Sequence, residues 1–252
     1  MLFRSNNLFL KKQAVIGYIF IIFVIIGVNY SIIPNNHHSE RNYESPIIDV
    51  AENWISNLPI GNLPTKTTQN PKNIVIDNNW AYFAANFWWC SGSGTYDDPY
   101  TIADIKTKYI SISNTNEYFI IENVEIKNNK KNDGISLYNV TNGKIQNNEI
   151  SNSLRALRFL SSSNISTLSN QILNNKYGVI LQDSNTLIFI SNTIQNSEFN
   201  GFKTSNVNDT LIENNDICLS SDSGITIFNS NEIKIYLNRI YDNDFFNCYV
   251  LF

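Results

Sequence analysis

The chain has 252 residues, room for one or two domains, and carries 22 acidic against 18 basic side chains for a net charge of −4. That mild acidity gives no basic face or stripe of the kind nucleic acid requires. Its three cysteines, Cys90, Cys218 and Cys248, stand in no metal-ligand spacing, and an odd number without CxxC argues against a disulfide framework or a zinc site.

At the N-terminus Arg4, Lys11 and Lys12 precede an apolar run over residues 14–28, which continues through Asn29, Tyr30 and Ser31 to Ile33. Basic residues ahead of such a run place the N-terminus in the cytoplasm and the rest of the chain outside. Counted from residue 14 to Ile33 it has 20 residues, enough for one hydrophobic helix to span a bilayer. The strict run of 15 suits a signal-peptide core instead. No small-x-small cleavage site follows. Residues 1–33 are therefore read as a single-pass anchor that leaves the remainder extracellular, with secretion after cleavage as the alternative.

Residues 34–73 are rich in Pro, Asn, Ser and Thr and read as a linker. His37 and His38, the only histidines, fall here and read as solvated chain, with metal binding as the sharper alternative. Trp54, Ile55, Leu58, Ile60 and Leu63 can form a short packed segment. Residues 74–108 read as an atypical first unit. Ile74-Val75-Ile76-Asp77 leads into the aromatics Trp80, Tyr82, Phe83, Phe87, Trp88 and Trp89, and then into SGSGTYDDPYTI. Terminal units of a stacked array must differ from the rest because their outer face meets water. Asp97 and Asp98 in that stretch read as turn formers, with calcium binding as the alternative and no other cofactor expected.

From residue 109 to 252 the chain repeats. Asn148, Asn170, Asn192, Asn215 and Asn238 recur at spacings of 22, 22, 23 and 23 residues. Two residues after each stands isoleucine: Ile150, Ile172, Ile194, Ile217 and Ile240. Fourteen before each stands Gly134, Ala156, Gly178, Gly201 or Gly224. One short period means one coil of a solenoid per repeat. Within a coil, Val179 and Leu181 alternate with Ile180 and Gln182, a second alternating stretch runs near Leu187-Ile188-Phe189-Ile190, and a third surrounds Ile194. Period two marks half-buried strands. Aligned coils give apolar columns such as Ile135, Leu157, Val179, Phe202 and Ile225. The fold class is thus all-β, a parallel β-solenoid with an asparagine ladder. Parallel crossovers are overwhelmingly right-handed, which sets its hand. The ladder asparagines sit at turns, where each carboxamide can donate to and accept from neighbouring coils.

A leucine-rich repeat also carries an asparagine ladder, and residues 233–240 fit its LxLxxNxL heart. Such repeats need a leucine three positions earlier, where this column reads Val140, Ser162, Ser184, Val207 and Ser230. A β-alternating stretch also replaces their convex helix, so the β-helix reading is preferred.

GSGTYDDPYTI, the following NTNEYFIIENVEI and the repeated GIxL…N-x-I coils resemble right-handed parallel β-helix proteins, above all the NosD-like group, over residues 74–252. The wider superfamily includes pectate lyases, polygalacturonases, epimerases and proteins without catalysis, so the resemblance implies fold more than activity. Copper, implied by the NosD name, finds no support in coils without His or Met. Family enzymes place acidic clusters on an outward strand face. Here the first-strand outward columns read Ser136, Arg158, Ile180, Lys203, Thr226, Tyr249 and Tyr138, Leu160, Gln182, Ser205, Phe228, Leu251, without a carboxylate. Asp216 beside Arg239 reads as a cross-coil ion pair.

Outward aromatics are easier to use. Tyr138, Phe228, Tyr236, Tyr241 and Tyr249 can stack on sugar rings, although exposed aromatics are also ordinary on strands. The expectation is an exported, membrane-anchored, non-catalytic β-helix that binds carbohydrate or serves as a scaffold; the alternative is a polysaccharide lyase or hydrolase using Asp216, Arg158 or Lys203. Sequons at Asn139, Asn164 and Asn208 add mild support for export. After Asn243 the chain begins the first strand of another coil and stops at Phe252, which reads as truncation or as an edge for a partner strand.

Overall fold

A computed structural model describes residues 69–128 and 130–251. The hydrophobic segment over 14–33, most of the linker and His37-His38 lie outside the described residues. Among the described residues, no helix is long and apolar enough to cross a membrane. The described chain winds as a right-handed parallel β-solenoid of about seven turns with one short helix.

The first coil comprises β1 (Ile74–Asp77), α1 (Trp80–Asn86), β2 (Cys90–Ser91), β3 (Tyr100–Ala103) and β4 (Lys106–Thr107). The second holds β5 (Ile110–Thr115), β6 (Phe119–Glu122) and β7 (Glu125–Lys127). The third has β8 (Ile135–Gln146) and β9 (Glu149–Ser151), and the fourth has β10 (Arg155–Leu160), β11 (Ser163–Leu168) and β12 (Gln171–Leu173). Then come β13 (Tyr177–Ile190) with β14 (Thr193–Gln195), and β15 (Phe202–Glu213) with β16 (Asp216–Cys218). β17 (Ile225–Phe228), β18 (Asn231–Tyr236), β19 (Arg239–Tyr241) and β20 (Cys248–Leu251) complete the stack.

Strand register sorts these into three faces. Face 1 stacks Ile74, Ile110, Ile135, Leu157, Val179, Phe202, Ile225 and Cys248 in one column. Face 2 stacks Ile121, Ile145, Thr167, Phe189, Ile212 and Ile235, and face 3 the isoleucines that follow the ladder. β8, β13 and β15 run unbroken from face 1 into face 2. Nearly every inward residue of the central coils is buried; Ile135, Leu157, Val179, Phe202 and Ile225 are each 0 % exposed. Each such side chain contributes roughly 1.5–3 kcal/mol relative to exposure.

Closing a coil in so few residues demands sharp corners, and the corners explain the asparagine content. Among the described residues, 25 other than glycine have positive φ, and 17 of these are Asn or Asp. Their short polar side chains tolerate the left-handed region that most residues avoid. The remainder includes Leu219 and Leu237, at φ 58° and 57°.

The ladder asparagines are buried between faces 2 and 3, with Asn148, Asn170, Asn192 and Asn215 at 1–2 % exposure. Asn192 uses its whole carboxamide. Its Oδ1 accepts from Asn170 N–H and Asn170 Nδ2, both at 3.0 Å. Its Nδ2 donates to Thr167 O at 2.9 Å and Asn215 Oδ1 at 3.0 Å. The column that argued against a leucine-rich repeat turns out to be a second inward corner, between faces 1 and 2. There Ser162 Oγ accepts from Val140 N–H, Ser184 Oγ from Ser162 N–H, and Ser230 Oγ from Val207 N–H, at 3.1–3.3 Å. At the third corner Asn175 Oδ1 accepts from Ser153 N–H at 2.7 Å, and Asn243 Oδ1 from Ser220 N–H at 3.0 Å.

The first coil is 36 residues long because α1 and β2 are inserted between faces 1 and 2. β2 pairs antiparallel with β3 and blocks that edge of the 13-stranded sheet. Trp80 of α1, 2 % exposed, lies 5.3 Å from the Tyr100 ring and 5.4 Å from Phe119. At the other end the core opens: Val250 is 42 % exposed where its neighbour in the column, Ile227, is 3 %.

Substitutions at two positions test the corner argument. Asn192→Ala is expected to lower unfolding free energy by about 1–3 kcal/mol, and Asn192→Asp by more, since a charged acceptor would face Asn215 Oδ1. Leu237→Asn, which relieves an exposed left-handed leucine, is expected to raise it by about 1 kcal/mol. Urea unfolding followed by circular dichroism reads both.

Candidate functional site

Coils after the second repeat every 22–23 residues, but Ile110 and Ile135 are 25 apart. Most of the extra length falls in the turn that leads from face 3 into face 1. That turn is fixed by backbone bonds to the next coil: Lys130 N–H donates to Asn152 O at 2.6 Å and Leu154 N–H to Asn132 O at 2.8 Å. The result is to bring Asp133 over the next coil, against two arginines.

Arg155 clamps Asp133 in bidentate fashion, Nε to Oδ1 at 2.6 Å and Nη2 to Oδ2 at 3.0 Å. Arg158 Nη1 stands 3.9 Å from the same Oδ2. The acid's side chain is 13 % exposed, whereas Arg155 and Arg158 are 28 % and 35 % exposed. Both carboxylate oxygens are thus occupied, and Arg158, with five N–H donors, keeps most of them for solvent or ligand. A shallow cleft of about 290 Å³ opens beside the pair, lined by Tyr109, Ser111, Lys131, Ser136 and Arg155 among others.

Further along the same corner Tyr177 and Phe199 stack, with ring centroids 4.7 Å apart and planes 17° from parallel. Phe199 is 44 % exposed. Lys130 reaches down the stack to Glu198, Nζ to Oε1 at 2.5 Å, a strap across coils 68 residues apart in sequence. That hydrogen bond, more than the charges of Lys130 and Lys176, holds the Glu198 carboxyl below its ordinary value.

The aromatic residues expected to contact carbohydrate are dispersed. Tyr138 lies on face 1 beside Ser136 and the cleft, and Phe228 occupies the same column four strands away. Tyr236 belongs to face 2 and Tyr241 to face 3, where Arg239 sits 5.1 Å above its ring. Tyr138, Phe228 and Tyr236 are 52 %, 45 % and 46 % exposed, while Tyr241 is half-buried. Asp216 pairs with Arg239 across coils at 3.6 Å, as the column predicts. In the DDPY stretch Asp98 O accepts from the N–H groups of Ser93, Gly94 and Thr95, a tight turn with Gly92 and Gly94 at φ 93° and 81°.

Asp133 and Arg155 escape a reading of the strand columns because Asp133 stands at the corner before β8 and Arg155 is the opening residue of β10, ahead of the inward column. The signal was present as the 25-residue interval from Ile110 to Ile135, against 22–23 in the coils that follow. The Tyr177–Phe199 pair escapes likewise, since its partners come from successive corners of different length.

Residues 90–250 match the family model described as "Periplasmic copper-binding protein (NosD)", and the chain belongs to that family. No curated protein matches the chain. Copper prefers His nitrogen, Met sulfur and thiolate. Among the described residues there is no His or Met, and no group of three His, Cys, Asp or Glu is placed to hold a metal ion. Cys90 lies buried in β2 of the first coil, Cys218 is buried on face 3 and Cys248 is exposed on β20 at the far end of the stack. This donor set does not fit a copper centre.

Glu198 gives a pH prediction. A carboxyl whose folded value is depressed adds stability above its unfolded value and loses it as pH falls through the folded one. Carbon-detected NMR of the Glu198 carboxyl is expected to give a midpoint below 4.5. In Lys130→Met the midpoint should rise.

Proposed function

From membership of the NosD family, we propose that the protein is an exported, membrane-anchored β-helix whose outer surface binds an extended carbohydrate without cleaving it. The family's periplasmic description and the apolar run over 14–33 support export and anchoring. The observation that carries binding is the unbroken run of face 1 and its adjoining corner. There the exposed ring of Phe199, backed by Tyr177, lies along the stack from Tyr138, Ser136 and Arg158. Aromatic faces and planar hydrogen-bond donors on a ribbed open surface suit a linear polymer better than a small molecule, which favours an enclosed pocket.

A hydrolytic role needs two carboxyl groups flanking the scissile bond, roughly 5–10 Å apart. The acid at this site is Asp133, and both its oxygens are engaged by Arg155. The outward columns of face 1 add one carboxylate, Asp77, two strands from Tyr138, and its Oδ1 already accepts from Ser113 and Asn114.

A glycan array with the full chain, run beside a calcium-supplemented depolymerisation screen, tests the reading. Binding without turnover is expected, with Phe199→Ala weakening it by roughly tenfold, the worth of one stacked ring. Turnover lost on removing Asp216, Arg158 or Lys203 would replace this reading with the lyase or hydrolase one.

A further inference from the structure

The chain is acidic overall, yet one strip of it is strongly cationic. Along the corner between faces 3 and 1, and the first outward column of face 1, stand Lys130, Lys131, Arg155, Arg158, Lys176 and Lys203. The acids among them are Asp133 and Glu198, which leaves an excess of four positive charges on a chain whose net charge is −4. Glu149 on face 3 and Asp222 near Asn200 bound the strip.

The register fixes the spacing of these cations. Arg158 pairs with Ile180 and Ile180 with Lys203, so the two charges project from the same face two strands apart, roughly 10 Å. Arg155 stands beside Tyr177 on the adjoining strand, and Lys176 precedes that ring. Asp133 and Glu198 offset two of the six charges: Asp133 is clamped by Arg155 with Arg158 3.9 Å from its Oδ2, and Glu198 is held by Lys130. Lys131, Arg158 and Lys203 keep their charges facing solvent, with Arg158 aimed by the nearby Asp133 oxygen. A planar guanidinium held this way suits a carboxylate or sulfate, which it can meet with two parallel bonds.

We infer that the strip from Lys131 to Lys203 recognises a polyanionic glycan, one that carries carboxylate or sulfate groups at intervals along its chain. This rests on the carbohydrate-binding reading above and adds to it the charge of the ligand. Phe199 offers a ring face to the sugars while the cations take the acidic groups, a division that a neutral polymer would leave half unused. Arg158 and Lys203, two strands apart in one column, set cations at roughly 10 Å along the axis, a spacing that a polymer with regularly placed acidic groups can meet.

Affinity electrophoresis of the full chain through gels containing polygalacturonate, dextran sulfate, neutral dextran or single-stranded DNA tests this. Retardation by polygalacturonate, dextran sulfate or both is expected, weakening as salt rises. Whichever gel retards the chain assigns the anionic group. The double variant Arg158→Gln/Lys203→Gln should lose roughly tenfold in affinity, the scale of a hydrogen bond to a charged group. Lys144→Gln/Lys234→Gln on face 2, with the same charge change, should lose none. Retardation by neutral dextran alone would overturn the inference and leave glycan binding standing. No retardation by any glycan would overturn both, and stronger retardation by DNA would reassign the strip to nucleic acid. Equal losses in the two double variants would mean that net charge, not this strip, drives binding.

Discussion

Everything in this molecule depends on each coil returning to its starting point directly above the coil before it. A rise of one strand spacing per turn leaves no slack: corners must superpose, and the backbone groups that turn inside them must find partners without water. Carboxamides meet that need because they donate and accept together. Asn170 and Asn192 each accept from the preceding rung and donate to the following one, so the corner that would expose unpaired peptide groups becomes a continuous bonded column. Serine does similar service at the corner between faces 1 and 2, where Ser162, Ser184 and Ser230 bond to the backbone of adjacent coils. The apolar columns can then be stacked in register, and β-branched isoleucine suits a pleated surface packed on one side.

The repeat made the solenoid legible, since period 22–23 and period two appear together and admit few architectures. The ladder's burial was legible too, because Asn148 and its successors keep a fixed offset from an inward isoleucine. Less of the candidate site could be read. Strand alternation tells which side chains point outward, and so found Tyr138, Arg158 and Lys203. It says nothing about corner residues, whose direction depends on how many residues the turn contains. Asp133 meets Arg155 only because its turn is longer than those that follow. The aromatic residues illustrate the opposite limit: Tyr236 and Tyr241 are only five positions apart in sequence, yet the corner at Leu237 and Asn238 sends them to different faces.

Family membership and chemistry separate cleanly here. The match to the NosD family runs over residues 90–250, the stacked coils, and the constraints that close and stack coils fall on inward columns and corners. A metal centre would have to be written on the outward positions, and His and Met are missing from them. The outward positions instead carry an excess of positive charge along one edge. A solenoid is well suited to such independence, because its interior repeats while its surface is free to vary coil by coil.

The ladder also has a sense of direction. From Asn148 to Asn238 each carboxamide nitrogen that bonds to a neighbouring rung donates to the oxygen of the later coil, never the earlier. The five amides therefore form a head-to-tail series, opened by Val124 N–H giving to Asn148 Oδ1. Such a column is polar in the way a filament is polar. An oxygen is needed above Asn238 to extend it, so a neighbour stacked with opposite polarity would set donor against donor. The same amides that fasten the coils thus specify the only orientation in which another could continue them.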